Sequence, residues 1–373
     1  MAILKKKFLF LYLRTGGGHL APAKSVSDFL NNHHNEDLET YLFDGFEKSS
    51  NIVKLVVVDG YRFLQSKAKW IYEFLYAIHK IKIISRLASC LVNLFIEPHL
   101  ENKILELMPN KIVIFHFFLI EPTYKILRKR NLAIPIITVV TDPFTAHPLW
   151  FLNREQNFIL FSDKLKSKCV KEGISVDKIH ILNFPIQEKF YRVPTIDELN
   201  NYKKEFQLDT RKVLLILGGG EGIPKGIQIV KSVCSKLIDI HVVFVCGNNQ
   251  QLFNKANQIK KINGYKNLTV LGFTTKIYEL LNISDAVITK CGASTIMEIL
   301  TIGKIPIVNS YIWEQEKGNV EFLIENNFGI FEKRINALPD IVQGLFSDNM
   351  NKKFMRKIHS NGPNDIARFL LGD

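Results

Sequence analysis

Short uninterrupted apolar runs alternate with longer amphipathic stretches along most of the chain, and this pattern constrains the fold more than any other feature. The runs are Phe8 to Leu13, Leu38 to Phe43, Ile112 to Phe118 and Ile134 to Thr141 in the first half. Val213 to Leu217, His241 to Cys246, Leu268 to Leu271, Ala286 to Thr289 and Ile305 to Asn309 follow in the second. A strand that is apolar on both faces needs cover on both faces, and helical segments between successive strands supply it. The expectation is α/β with parallel sheets. Each half opens with a strand followed at once by a glycine-rich turn, TGGGH at Thr15 to His19 and GGGEG at Gly218 to Gly222. Between them, residues 184–206 carry two prolines and then a polar, helix-prone stretch that reads as a linker. A chain of 373 residues, 47% hydrophobic, can fill two cores. Two domains are expected, 1–189 and 190–373, with the last short helix, Ile366 to Leu371, free to pack back on the first.

Several classes drop out. The five cysteines are scattered, with no C-x-x-C pair and no histidine at zinc-finger spacing, which points to a reducing compartment and no structural metal. The opening KKKFLFLYL has a basic then apolar order, but its apolar core is shorter than the ~7 to 15 residues of a signal peptide and no small-residue cleavage site follows. It reads as a first buried strand. No uncharged apolar stretch approaches the roughly 20 residues needed to cross a bilayer. Neither glycine turn ends in G-K-[ST], and neither fits G-x-G-x-x-G with a ribose-binding acid beyond, which disfavours ATP and NAD. The net charge of +13 calls for an anionic partner without choosing one.

The stretch Ala286 to Phe331 carries the most chemistry. A strand ends near Thr289, the turn Gly292-Ala293-Ser294-Thr295 follows, and Ile296 to Leu300 continue as a helix. Backbone N–H groups of such a turn, the hydroxyls of Ser294 and Thr295 and the positive helix end make a cradle for a diphosphate. Glu298 lies one turn further on the same face, within reach of a ribose diol. A second polar turn, Glu314 to Asn319, follows the next strand and offers Gln315, Glu316 and Asn319 to sugar hydroxyls. The plainer alternative is helix capping at the first turn and a solvated loop at the second. Two such loops after consecutive strands of one sheet stand where ligands of open α/β folds bind.

On these residues the C-terminal half, and more loosely the whole chain, resembles the monogalactosyldiacylglycerol synthase and diacylglycerol glucosyltransferase family, itself similar to the peptidoglycan enzyme that adds N-acetylglucosamine to a lipid carrier. The family pattern G-P-G-T-x-x-E followed by P-x-I and Q-E-x-G-N is here GASTIME and PIVNSYIWEQEKGN, so Gly292, Thr295, Glu298, Gln315, Glu316 and Asn319 match. Ala293 and Ser294 depart from it. TGGGH, GGGEG (with Gly219, Gly220 and Glu221) and a T-D-x-x-x-x-H-x-x-W pattern (Thr141, Asp142, His147, Trp150) match too, while the acidic or polar residue common before TGGGH is Arg14. The resemblance implies a GT-B fold, two Rossmann-like parallel-sheet domains facing a cleft, with a UDP-sugar on the C-terminal one and the acceptor on the N-terminal one.

What the resemblance implies chemically is an inverting transfer of galactose or glucose from UDP-galactose or UDP-glucose to diacylglycerol, with no metal and no cofactor beyond the co-substrate. D-x-D does not occur, so fixed dipoles and hydroxyls must stabilise the leaving UDP. His19 is the candidate base. Gly17, Gly18, His116, Asp142, His147 and Trp150 fall on the acceptor side. Tyr61 to Arg86 interleaves aromatics with a net charge of +5, and with the family match suits an anionic lipid surface better than nucleic acid. Its candidate membrane contacts are Lys67, Lys69, Trp70, Phe74, Lys80 and Lys82. A peripheral enzyme on the cytoplasmic face of the cell membrane is expected. The alternatives are another lipid acceptor (a sterol or a lipid-linked peptidoglycan precursor), a UDP-sugar 2-epimerase, or a non-catalytic lipid-surface protein.

Overall fold

The structure is a computed structural model that describes residues 5–14, 17–46, 82–208, 211–347, 354 and 361–372. The chain divides into two compact units, Met1–Glu188 with Asn361–Asp373, and Lys189–Ser360. Thr15, Gly16 and the candidate membrane residues Lys67, Lys69, Trp70, Phe74 and Lys80 lie outside the described residues, as does the side chain of Lys82. No described helix is long and apolar enough to cross a bilayer.

In the first unit the order is β1 (Lys6–Tyr12), α1 (Gly17–His33), β2 (Leu38–Asp44), α2 (Lys82–Leu107), β3 (Lys111–Ile114), α3 (Ile120–Lys129), β4 (Ile136–Val139), β5 (Asn157–Leu160), α4 (Asp163–Lys171) and β6 (Ile179–Ile181). All six strands are parallel, in the order β2-β1-β3-β4-β5-β6. Alternate residues of a strand point to opposite faces, and β1 shows what that does. Leu9 and Leu11 join Ile112, Ile114 and Phe158 in one core, while Phe8 and Phe10 join Val113, Phe115 and Val139 in another. The second core also takes Ile366, Ala367 and Leu370 of the final helix, described below.

The second unit runs α5 (Ile196–Glu205), β7 (Lys212–Leu217), α6 (Gly226–Lys236), β8 (Ile240–Val245), α7 (Gln250–Asn263), β9 (Leu268–Leu271), α8 (Ile277–Ile283), β10 (Ala286–Lys290), α9 (Ala293–Ile302), β11 (Pro306–Ser310), α10 (Lys317–Glu325), β12 (Ile330–Phe331) and α11 (Leu338–Phe346). Its strands are also parallel, ordered β12-β11-β10-β7-β8-β9. The chain then returns to the first unit as α12 (Gly362–Leu371). Gly362 is required there, because a Cβ would stand 2.4 Å from the Phe184 carbonyl oxygen and 2.6 Å from that of Asn183. Asn183 donates to the Asp365 carboxylate at 2.7 Å beside it.

Some expectations change. The run Ile112 to Phe118 is strand only as far as Ile114, because His116 accepts from the Phe118 N–H and caps a 3₁₀ turn over Phe117–Leu119. Three short strands, β5, β6 and β12, were not expected. Much of the 184–206 stretch is ordered structure of the second unit. Thr195 accepts from the Glu198 N–H at 3.3 Å while the Glu198 carboxylate accepts from the Thr195 N–H at 2.8 Å, a capping box that starts α5.

Candidate active site

In the first unit the C-terminal ends of β1, β3 and β4 bring together the polar residues that the sequence spreads over 130 positions. Gly17 and Gly18 open α1, and a Cβ at either would meet nothing within 4 Å, so both face open space. His19 follows, buried, with Nδ1 2.9 Å from the Phe115 carbonyl oxygen and 2.7 Å from the Thr141 hydroxyl. A carbonyl only accepts, so the ring proton is assigned to Nδ1 and the lone pair to Nε2. Burial lowers the His19 pKa to about 4, against the Phe115 hydrogen bond that raises it. The imidazole is therefore neutral at pH 7.

His116 lies edge-on to His19 with ring centroids 4.4 Å apart, and burial, then His19 itself, holds it well below the usual histidine range. His147 accepts from the Leu149 N–H at 3.2 Å and caps the 3₁₀ turn Pro148–Phe151. Trp150 is fully buried and donates its indole N–H to Asp142 at 2.9 Å, which ties down the loop after β4. His116 and His147 each spend Nδ1 on a cap; His19 alone of the three spends it on a carbonyl and a hydroxyl. The position before TGGGH, Arg14, is not without a carboxylate: Asp44, ending β2, lies 3.9 Å from the Arg14 guanidinium and accepts from the Phe46 N–H at 3.1 Å.

In the second unit the turn after β7 is shaped by glycine. Gly219 and Gly222 have φ of +75°, and a Cβ on Gly218 would stand 2.3 Å from the Ile223 nitrogen. The Gly220 carbonyl accepts from the Asn248 N–H at 2.7 Å, which joins this turn to the one after β8. Glu221 is exposed, and its carbonyl accepts from Asn249 at 3.3 Å. After β10, Gly292 precedes α9 with no side chain capping it. Ser294 Oγ is buried with no hydrogen-bond partner, so neither the serine nor the turn is consumed by capping. Glu298, one turn on, is half-buried, and burial pushes its carboxyl up to about 8 against the pull of Lys189.

The second polar turn is partly occupied by its own scaffold. Glu316 is buried, accepts from the Ile312 N–H at 2.7 Å and lies 3.4 Å from the Lys290 ammonium. Asn319 donates to the Cys291 carbonyl at 2.8 Å, which clamps the Gly292 turn from behind and leaves its buried Oδ1 without a partner. Gln315 is half-buried in the same turn. Lys290 is the residue sequence reasoning missed. Its Cε comes within 3.8 Å of a Cβ built on Gly219 and 3.9 Å of one built on Gly292, so it joins both glycine turns. The available signal was a lone lysine ending an otherwise apolar strand, AVITK. Among the described residues no group of three or more metal-ligating side chains occurs.

Two parallel six-stranded sheets, each with a glycine-rich turn after its first strand, define the GT-B class. The fold is similar to that of MurG from Acinetobacter baumannii (TM-score 0.58, 13% identity, 99% of this chain and 100% of that one). It is similar also to UDP-GlcNAc 2-epimerase from Neisseria meningitidis bound to UDP-GlcNAc (TM-score 0.63, 12% identity, 99% and 100%). Within that class, residues 19–186 match the monogalactosyldiacylglycerol (MGDG) synthase model and residues 213–353 the glycosyltransferase family 28 C-terminal domain, so the chain belongs to the glycosyltransferases of the family 28 and MGDG synthase group. It is 27% identical over 357 residues to the chloroplastic monogalactosyldiacylglycerol synthase of Spinacia oleracea, covering 93% of this chain and 67% of that protein. It is 28% identical over 365 residues to the processive diacylglycerol beta-glucosyltransferase of Bacillus subtilis, covering 94% and 90%. The chain thus spans about two thirds of the plant protein's length and nearly all of the bacterial one.

Proposed function

We propose that this protein is a membrane-associated, inverting UDP-hexose transferase that moves galactose or glucose to diacylglycerol. The observation that carries the reading is the hydrogen bonding of His19: with Nδ1 held by Phe115 and Thr141, Nε2 is the ring atom left to take the acceptor's hydroxyl proton. The diacylglycerol hydroxyl attacks the anomeric carbon from the face opposite UDP. The C–O bond to UDP breaks, its electron pair leaves with the diphosphate, and the hydroxyl proton passes to Nε2. A buried imidazole that stays neutral to about pH 4 is always in its accepting form, and the Phe115 carbonyl steadies the imidazolium as it forms.

On the donor side, the N–H groups of the Gly292 turn, the partnerless Ser294 hydroxyl and the Lys290 ammonium receive the diphosphate, and Glu298 takes the ribose diol. The open Oδ1 of Asn319 is left for a sugar hydroxyl, and Gln315 of the same turn is assigned to the sugar as well. Gly219, Gly220 and Glu221 complete the donor side, and Glu316 acts chiefly by holding Lys290 and the Ile312 backbone. Gly17, Gly18, His116, Asp142, His147 and Trp150 shape the acceptor side. The cytoplasmic leaflet and an anionic lipid surface complete the reading, with the charge of +13 in support.

Thin-layer analysis of lipids after incubation with diacylglycerol vesicles and each UDP-sugar in turn tests this. A hexosyl-diacylglycerol of inverted anomeric configuration is the expected product. Conversion of a UDP-sugar without lipid would instead mark an epimerase, and no product of either kind would sink the transfer reading.

A further inference from the structure

The edge of the second sheet opposite its glycine turns carries a surface that the transfer reaction does not use. Strands β7, β8 and β9 start in register there, Lys212 beside Ile240 and Val242 beside Leu268. The buried Asn267 side chain donates to the carbonyls of Leu237 and Ile240 at 2.9 and 3.1 Å, which binds the end of α6 to the start of β9. The Arg211 guanidinium donates to the Ile238 carbonyl at 3.2 Å on the same edge.

Helices α6 and α7 hold five lysines, Lys231, Lys236, Lys255, Lys260 and Lys261, and no acid. Lys266 follows, and a hollow of about 320 Å³ is lined by Asn257, Lys260, Lys261, Gly264, Tyr265 and Lys266. Two large aliphatics stand out of this basic ground, Ile238 at 68% and Ile262 at 73% exposure. Among the described residues the acids on this edge are Asp239 and Asp285, both exposed, the latter paired with Lys212 at 3.2 Å.

We propose that this edge is a docking surface for an anionic lipid bilayer, a contact separate from the basic-aromatic segment of the first unit. Lysines gather lipid phosphates, the hollow receives a headgroup, and Ile238 and Ile262 reach the acyl boundary. A nucleic acid partner would call for exposed aromatics on which bases stack, whereas the aromatic here, Tyr265, is half-buried. The proposal rests on the lipid-acceptor reading above, but the two fail separately in the following test. With strands of up to six residues between them, this edge lies about 20 Å from the glycine turns, so changes here leave donor binding alone.

The full chain with Cys90→Ser and Ile262→Cys takes a bimane label; Cys169, Cys234, Cys246 and Cys291 are buried. It is mixed with vesicles of phosphatidylcholine, with or without phosphatidylglycerol, that carry a doxyl-lipid quencher. Quenching is expected on the anionic vesicles and not on the neutral ones. Adding Lys236→Gln, Lys261→Gln and Lys266→Gln should weaken it about a hundredfold, taking roughly fivefold per lysine. Transfer to detergent-dispersed diacylglycerol should be unchanged, and it reports on the transferase reading alone. Unquenched label on enzyme that sediments with anionic vesicles overturns the proposal, as does an enzyme that does not sediment at all. Oligonucleotide binding that is lost in the triple variant while quenching persists overturns it in favour of nucleic acid.

Discussion

If Glu298 binds the ribose diol as a carboxylate, UDP affinity must depend on pH in a way the structure sets. Its carboxyl is pushed up to about 8 by burial, with Lys189 the opposing influence. At pH 7 roughly one molecule in eleven then has the group ionised. A diol has two O–H groups to donate, and only the ionised carboxyl accepts from both without giving up an acceptor position. Binding therefore releases close to one proton at pH 7, and affinity falls about tenfold per pH unit below 8. Between pH 6.5 and 8.5 the expected gain is roughly 25-fold, about 1.9 kcal/mol. Calorimetric titration with UDP in two buffers of different ionisation enthalpy measures both the affinity and the proton count. Glu298→Gln should flatten the curve and remove the buffer dependence, and a 2′,3′-dideoxy analogue should do the same with the unaltered protein. Affinity flat from pH 6.5 to 8.5, with no proton released, would refute the argument.

Three further outcomes are expected. His19→Ala should lower kcat by about 10² to 10⁴ while calorimetric UDP affinity stays within twofold; near-normal turnover of the folded variant removes the base assignment. Lys290→Ala should weaken UDP binding about 10- to 100-fold, since a hydrogen bond to a charged group contributes about 1.5–3 kcal/mol, and uridine, which lacks the diphosphate, should bind the variant and the parent alike. Urea unfolding as a function of pH checks the buried imidazole. Above pH 6.5 His19 is neutral folded and unfolded and adds no pH dependence. Below it the unfolded chain gains a proton that the fold refuses until about pH 4, so stability falls across that window by about 3 kcal/mol, less in His19→Asn.

The fold was legible where strands were long and apolar. β1, β7 and β8 are runs of six or seven residues with both faces buried, and such runs announce themselves. β5, β6 and β12 have four, three and two residues, and pairing with an already formed neighbour, not their own composition, makes them strands. The α5 capping box was present as T-x-x-E, but read as linker because the prolines before it dominated. The glycine turns and the residues after them were legible because backbone geometry restricts which residues fit. Lys290 was not, since its part depends on two turns more than 70 residues apart meeting around one side chain. Asp44 was hidden likewise, since β2 pairs beside β1 only in three dimensions.

The return of α12 to the first unit has a consequence for how the chain comes to be folded. The face of the first sheet made by Phe8, Phe10 and Val113 is closed by Ile366, Ala367 and Leu370, and these leave the ribosome after all of Lys189–Ser360. Unit-by-unit folding from the N-terminus cannot finish here: the second unit, contiguous in sequence, can complete itself while the first still waits with an apolar face uncovered. A chain stopped short of Asn361 would carry an intact second unit beside a first unit prone to aggregate. Residues 361–372 thus set the moment at which that face of the first sheet is covered.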